Sequence, residues 1–290
     1  VTETLALLTA MHEADRAVDA AVGAALPQLA RAADAIAARL AGGGRWFSIG
    51  AGTSGRLGAL DAAELPPTFG TDPALVVALL AGGRDAMFTA AEGAEDDRAA
   101  GARDLAAAGL TKRDAVVGIA ASGATPYVRG AIAEAKAKDA LTVALVCRRG
   151  APLLDEAAIG ILLDTGPEVL AESSRLKAGT AQKIALNMLS TAVMAARGLV
   201  YEGEMVAMRP TNEKLRRRAV RIVSKLAGGT ERAMSEETAE GFLRRANWHL
   251  PTALISAKWQ LSAEAAADYL SKQNSNVAVA LRTPPRDGRT

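Results

Sequence analysis

The sequence predicts an α/β fold: a parallel sheet flanked by helices, with a small helical subdomain at its C-terminal end. Three observations lead there. Short apolar runs bounded by turn residues recur through the middle of the chain, each followed by a helical segment. The runs are continuously apolar rather than alternating, as in strands covered on both faces. After Gly166 they stop, and helical periodicity alone continues.

Residues 2–21 and 26–41 place Leu5, Leu8 and Met11, then Leu29, Ala33, Ile36 and Leu40, at helical spacing, which predicts two helices. "AGGGRWFSIG" breaks the second helix and enters the first strand. Strands are expected in "RWFSIG", "ALVVALLA", "DAVVGIA" and "LTVALVC", and in "IGILLD" at 159–164. One long apolar helix is expected from about Ala178 to Arg197. The tail reads as helices in "TNEKLRRRAVRIVSKLAGG", "SEETAEGFLRRANWHL", "PTALISAKWQL" and "SAEAAADYLSKQ". Gly228-Gly229, Pro251 and Ser262 punctuate it, Ser262 as an N-cap. The last eight residues, with Pro284-Pro285, read as a frayed end. The expected division is 1–41 as N-terminal helices packing on the sheet domain, 42–211 as that domain, and 212–290 as the helical subdomain.

Half of the 290 residues are hydrophobic, enough for one large core or two smaller ones. Aromatic residues are only 3%, which favours closely packed helices over a β-sandwich. A formal charge of +2 from 34 basic and 32 acidic residues gives no whole-protein field for nucleic acid. The single cysteine, Cys147, forbids an internal disulfide, and His12 and His249 cannot build a Cys/His zinc cluster. No Asp-rich calcium loop is present, so neither a metal nor a cofactor is expected. With no signal-peptide pattern and no apolar run of membrane-spanning length, a soluble cytoplasmic protein is the expectation.

The first strand runs into "GAGTSG", Gly50 to Gly55, which fits the glycine pattern of a dinucleotide-binding turn. That fingerprint also needs an acidic residue at the end of the second strand to bind ribose hydroxyls. Here the second strand ends in glycines, and "LPPTFGTDP" interrupts the crossover where a helix should run. A nicotinamide or flavin site is therefore not expected. The loop instead carries Gly52, Thr53, Ser54 and Gly55, and a second hydroxyl-bearing turn, with Ser122, Gly123 and Thr125, follows the third strand. A third stretch, "ESSRLKAGTAQK", offers Ser173, Ser174, Lys177 and Thr180. Serine and threonine at such turns commonly cap helices. Two glycine-rich strand-to-helix turns side by side, however, present backbone N–H groups, helix N-termini and hydroxyls to one anion, and favour a phosphate.

The two-loop arrangement resembles the sugar isomerase (SIS) domain. The stretches "GAGTSGRLGALDAAELPPTFG", "AEGAEDD", "GIAASGATPYV", "SSRLKAGTAQKIALNMLST" and "PTNEKL" resemble one family within it, the N-acetylmuramic acid 6-phosphate etherases. They span about residues 43–216. The resemblance implies a SIS-type parallel sheet and a small-molecule sugar phosphate as substrate. It further implies a homodimer with the site near the subunit interface, for which the long apolar helix could supply the contact, and chemistry without metal or nicotinamide. Such an enzyme removes D-lactate from C3 of N-acetylmuramic acid 6-phosphate by elimination. Water then adds to give N-acetylglucosamine 6-phosphate.

This chemistry requires one carboxyl group held protonated and one ionised, a division set by environment. Glu64 precedes Leu65-Pro66-Pro67, where the prolines fix the backbone and Ala62, Ala63 and Leu65 are expected to bury the carboxyl. The resemblance makes Glu64 the acid that protonates the departing lactate. It matches Glu95, in a stretch that reads as helical, to the second active-site glutamate, for which base is the natural role. From sequence alone Glu92 and Asp96, which flank Glu95, remain alternatives, and Asp61 could share a helix face with Glu64. Lys214, in "TNEKL", is placed near the site by the resemblance; Lys177 and Arg56 are further cations for the substrate's two anionic groups. Arg216–Arg218 read as a solvated helix face, and His249 as structural.

The chain also departs from the family pattern. Ala171-Glu172 replaces a small, glycine-containing pair, Ala207 stands where aspartate is common, and Leu65 where cysteine is frequent. A short Thr-Glu and Asn-rich segment usual ahead of the first helix does not precede "VTETLALL". Two rival readings share the loops: a sugar-phosphate aldose–ketose isomerase, which needs no acid aimed at C3, and a non-catalytic sugar-phosphate sensor.

Overall fold

The computed structural model describes residues 2–228 and 234–285, which form two compact units. The first comprises Val1–Ala63 and Pro73–Val193; the second comprises Glu64–Asp72 and Met194–Thr290.

The first unit opens with α1 (Glu3–Asp15) and α2 (Ala17–Ala41). The break falls at Arg16, not between 21 and 26 as the periodicity predicts, and α2 runs through Pro27. An interior proline costs about 3 kcal/mol. The buried stripe Val18, Val22, Ala25, Leu29, Ala32 and Ile36 is unbroken across it, and that burial holds the helix together. Five strands follow, all parallel: β1 (Trp46–Gly50), β2 (Val76–Leu80), β3 (Ala115–Ile119), β4 (Leu141–Val146) and β5 (Ile159–Leu162). Each coincides with one of the five apolar runs. Their order is β2-β1-β3-β4-β5, so the chain leaves β1 in both directions across the sheet. β1 and β3 are buried along their whole length, as strands at the centre of a covered sheet must be. Phe47, Ile49, Val116, Ala144 and Val146 pack against α4 (Arg98–Ala107) and α5 (Pro126–Ala137), while α2 packs on β4 and β5. The short α6 (Pro152–Glu156) and the long α7 (Lys177–Ala196) complete the series.

Between β1 and β2 the chain forms α3 (Gly52–Phe69), which passes through Pro66 and Pro67 instead of breaking at them. The carbonyls these prolines leave unpaired are those of Ala62 and Ala63, and Ala63 lies on the exposed side, where water can take its bond. Leu65 and Phe69 are buried and anchor the last turns, and the helix stops at Gly70, whose φ of +67° is left-handed.

The second unit holds a two-stranded antiparallel ribbon, β6 (Val200–Tyr201) and β7 (Glu204–Met205), and five helices: α8 (Glu213–Ala227), α9 (Glu236–Arg245), α10 (Leu250–Trp259), α11 (Ala263–Lys272) and α12 (Val277–Arg282). Its core gathers Val223, Leu226, Leu243, Leu254, Ile255, Leu270 and Leu281. Side chains of Asn212, Ser235, Ser262 and Asn276 cap four of the helices, Ser262 as expected. The helix expected through 235–250 ends at Arg245, because Asn247 and Trp248 turn the chain with φ of +50° and +60°. α12 lies beyond the expected helices. Gly229 and the tail from 286 lie outside the described residues. Among those described, no helix is long and apolar enough to cross a membrane.

Candidate active site

β1 and β3 are adjacent and in register to their last pair, Gly50 with Ile119, so the loops after them emerge side by side at the C-terminal edge of the sheet. In the first loop the chain doubles back so tightly that a Cβ on Gly50 would lie 2.7 Å from Gly55 N. Gly52, Thr53 and Ser54 form the first turn of α3, where backbone N–H groups have no intrahelical acceptor. Thr53 is half-buried. Ser54 is buried, and its hydroxyl donates to Gln182 Oε1 at 2.9 Å, so towards a ligand it offers its N–H rather than its side chain.

In the second loop Ser122 Oγ accepts from Ala124 N at 3.2 Å, and Gly123 adopts φ +62°, where a Cβ would meet that of Ala151 at 2.5 Å. Thr125 stands at the N-cap of α5 before Pro126, yet its hydroxyl makes no capping bond. Capping therefore does not account for it.

The third stretch is brought to the first loop. A Cβ on Gly179 of α7 would lie 3.3 Å from Thr53 Cγ2, and Gln182 meets Ser54 one turn further on. Lys177 is 6% exposed. Its main-chain N–H and that of Ala178 donate to the carboxylate of Glu168, at 3.3 and 2.9 Å, so an acid of the chain itself occupies the α7 N-terminus. Beneath lies Cys147, whose Sγ approaches Ala178 O; burial, with Glu168 nearby, pushes its thiol up to about 12. Ser173 is half-buried and Ser174 exposed. Glu172 is exposed with φ +65°, a left-handed conformation that glycine adopts without strain.

Glu95 lies in a single 3₁₀ turn, Ala94–Asp96, and not in a helix; α4 begins only at Arg98, capped by Asp97. Its side chain is exposed and lines a cavity of about 160 Å³ with Gly52, Arg56 and Glu92. First loop and base candidate thus share one enclosure.

Glu64 is exposed, contrary to the burial expected beside Leu65. One residue along a helix is a rotation of about 100°, so the face that buries Leu65 turns Glu64 outward. The buried acid of α3 is Asp61, which accepts from Asn187 Nδ2 at 3.1 Å and Ser190 Oγ at 3.0 Å. Asp61 and Glu64 therefore do not share the common face their spacing allows: one meets α7 and the other solvent.

In the second unit Lys214 is exposed on the first turn of α8 and lines a cavity of about 870 Å³ with Arg217, Arg221, Glu236 and Glu240. Both signs of charge interleave there. Arg216 stacks over Trp248 at 5.0 Å, so it is more than a solvated cation. His249 Nδ1 pairs with Thr252 Oγ1 at 2.7 Å at the start of α10, a structural role as expected.

Two residues of this region are not assigned from sequence. Glu168 lies nine positions before α7 in an irregular stretch, with no capping-box spacing to betray it. Gln182 is fully buried on α7 between Ala181 and Lys183, and its Nε2 has no partner among the described residues.

Comparison with known proteins agrees with this architecture. The model of the glucokinase regulatory protein N-terminal SIS domain matches residues 28–136, and that of the SIS domain matches residues 95–192. The chain is 47% identical over 283 residues to an N-acetylmuramic acid 6-phosphate etherase of Streptomyces avermitilis, covering 98% of this chain and 89% of that protein. It is 47% identical to one of Geobacillus thermodenitrificans, covering 96% and 92%. Among solved structures, a phosphoheptose isomerase from Francisella tularensis superposes with a TM-score of 0.53 at 21% identity, covering 67% of this chain and all (100%) of that one. A ligand-bound protein from Escherichia coli CFT073 gives 0.50 at 14%, covering 70% and 97%. At such identities these structures speak to the fold alone.

Proposed function

The chain belongs to the N-acetylmuramic acid 6-phosphate etherase family, and from that membership we propose how its residues carry out the reaction. The protein is an etherase, a carbon–oxygen lyase, acting on N-acetylmuramic acid 6-phosphate. The phosphate sits against the first turn of α3 and the second loop, taking N–H groups of Gly52, Thr53 and Ser54 and the hydroxyls of Ser122 and Thr125, with Gly123 allowing close approach; Gly55, whose N–H is given to Ala51 O, keeps the turn tight against Gly50. Ser173, Ser174, Lys177 and Lys214 receive the remaining polar and anionic groups.

In the ring-opened sugar the C1 aldehyde acidifies the C2 proton. The Glu95 carboxylate takes that proton, the electron pair forms the C2–C3 double bond, and the C3–O bond breaks. Glu64 gives its proton to the ether oxygen as D-lactate leaves. Water then adds its oxygen to C3 and a proton returns to C2, so substrate plus water becomes N-acetylglucosamine 6-phosphate plus lactate. No redox change occurs. The observation that carries this reading is the cavity shared by Gly52 and Glu95. An acid serves a leaving group only with bulk water displaced from it. For Glu64 we assign that displacement to the sugar and to a second copy of the chain, since Leu60, one turn earlier on the same face, is 44% exposed. The protein is a cytoplasmic homodimer on this reading.

The test is D-lactate release from N-acetylmuramic acid 6-phosphate, with solvent deuterium at C2 followed in parallel. Both Glu64→Gln and Glu95→Gln should lose about 10²–10⁴-fold in release. Only Glu95→Gln should also lose C2 exchange. Exchange without lactate from the unmodified protein would favour an isomerase; binding with neither activity would favour a sensor.

A further inference from the structure

Arg56 follows the first loop on α3, and its Nε–H is shared between two backbone carbonyls, Ala86 O and Met87 O, each at 3.0 Å. Those carbonyls belong to the 3₁₀ turn Arg84–Met87, the start of the segment that leads from β2 to Glu95. The segment also packs through the buried Ala86 and through Ala94, which meets the core beside α5. It holds two short 3₁₀ turns and no strand, and Phe88 is 91% exposed. A further restraint is Gly82, where φ is +85° and a Cβ would meet Ala91 Cβ at 2.5 Å, so the segment folds back closely on its own root. Asp97 then ends it by accepting from Ala100 N at 2.8 Å as the cap of α4. Arg56 also supplies the cation among the side chains lining the cavity with Glu92 and Glu95.

We propose that Arg56 is a positioning residue of the etherase: its Nε latches the Glu95-bearing segment to the helix that the phosphate loop opens. Base and phosphate seat are then held by a single side chain at a fixed separation. The proposal rests on the reading of Glu95 as the base. A guanidinium is suited to this, because its planar fork can bond two carbonyls from Nε while its terminal nitrogens still face the cavity. Lysine keeps the charge but has no donor at the Nε position.

The experiment compares unmodified protein, Arg56→Lys, Arg56→Ala and Glu95→Gln. It measures lactate release, deuterium entry at C2 of N-acetylglucosamine 6-phosphate, and amide exchange along the chain. Arg56→Lys should lower kcat and C2 exchange about 10²-fold while KM stays within about threefold, as expected when a base is misplaced and not removed. Amide exchange should accelerate over residues 84–97 and not elsewhere. Added methylguanidinium should restore part of kcat in Arg56→Ala. If Arg56→Lys fails to fold, Arg56→Gln, whose amide can still donate one bond, takes its place, with a smaller loss expected. A raised KM with kcat intact would make Arg56 a direct substrate contact and overturn the latch, as would unchanged amide exchange over 84–97. Should Glu95→Gln keep its C2 exchange, the reading of the base fails instead.

Discussion

Asp61 lies three residues before Glu64, and α3 gives the two carboxylates opposite surroundings. Burial raises the Asp61 carboxyl above its ordinary 3.8, against the hydrogen bonds from Ser190 and Asn187 and the charge of Lys183, all of which lower it. A raised folded value means that the folded state holds its proton more tightly than the unfolded one. The stability this contributes is fully present below 3.8 and is lost as pH rises through the folded value. Asp61→Asn cannot ionise and can still accept from Ser190. It should therefore be more stable than the unmodified protein at about pH 7, with the gap closing towards about pH 3. Denaturant titrations across that range check it; a gap independent of pH would mean that Asp61 is neutral or ionised alike in both states. Nothing local in "ALDAAEL" distinguishes the two acids, since both sit among alanines. Which one is buried depends on α7 arriving with Asn187 and Ser190, a contact from 126 and 129 residues away.

At the scale of elements, the five strands are legible because a short unbroken apolar run flanked by glycine or charge reads as a strand covered on both faces. The two glycine-rich loops assigned above to the phosphate are legible for the same reason, as their glycines follow those runs directly. The course of α3 through Pro66-Pro67 is not. Proline is a local signal for a helix end, and the burial of Leu65 and Phe69 that overrides it is tertiary. The loop at Glu172 shows the converse, a sequence departure that the backbone penalises. A glutamate at φ +65° costs about 1–2 kcal/mol relative to a right-handed conformation, and glycine would relieve it. Glu172→Gly also removes an anion from the stretch assigned to an anionic ligand. It should lower KM for the sugar phosphate about three- to tenfold at low ionic strength, with the advantage shrinking as salt is added. Steady-state kinetics at two salt concentrations decide; an unchanged KM would mean that the side chain points away from the ligand.

For the whole molecule, α1 is the element that least resembles a finished surface. It buries no residue, and Leu5, Leu7 and Leu8 are 53%, 56% and 57% exposed. A lone 13-residue helix is marginal in water, and exposed leucines in a cluster mark a contact surface. The homodimer proposed above would cover it. The double change Leu5→Glu and Leu8→Glu should weaken self-association about 10²-fold, read by sedimentation, while circular dichroism stays unchanged. Persistence of the dimer would move the contact elsewhere.

The division of the chain has a bearing on its synthesis. The first unit is complete once Val193 has emerged from the ribosome, and with it all three loops and Glu95. The short piece Glu64–Asp72 is made early but belongs to a unit whose remaining residues begin at Met194. It must wait at least until Ala207 and Arg209 are made, since Gly70 lies against Ala207 O and accepts a hydrogen bond from Arg209. On the reading proposed above, a growing chain would therefore complete the loops assigned to the phosphate before it sets in place the turn of α3 that carries Glu64.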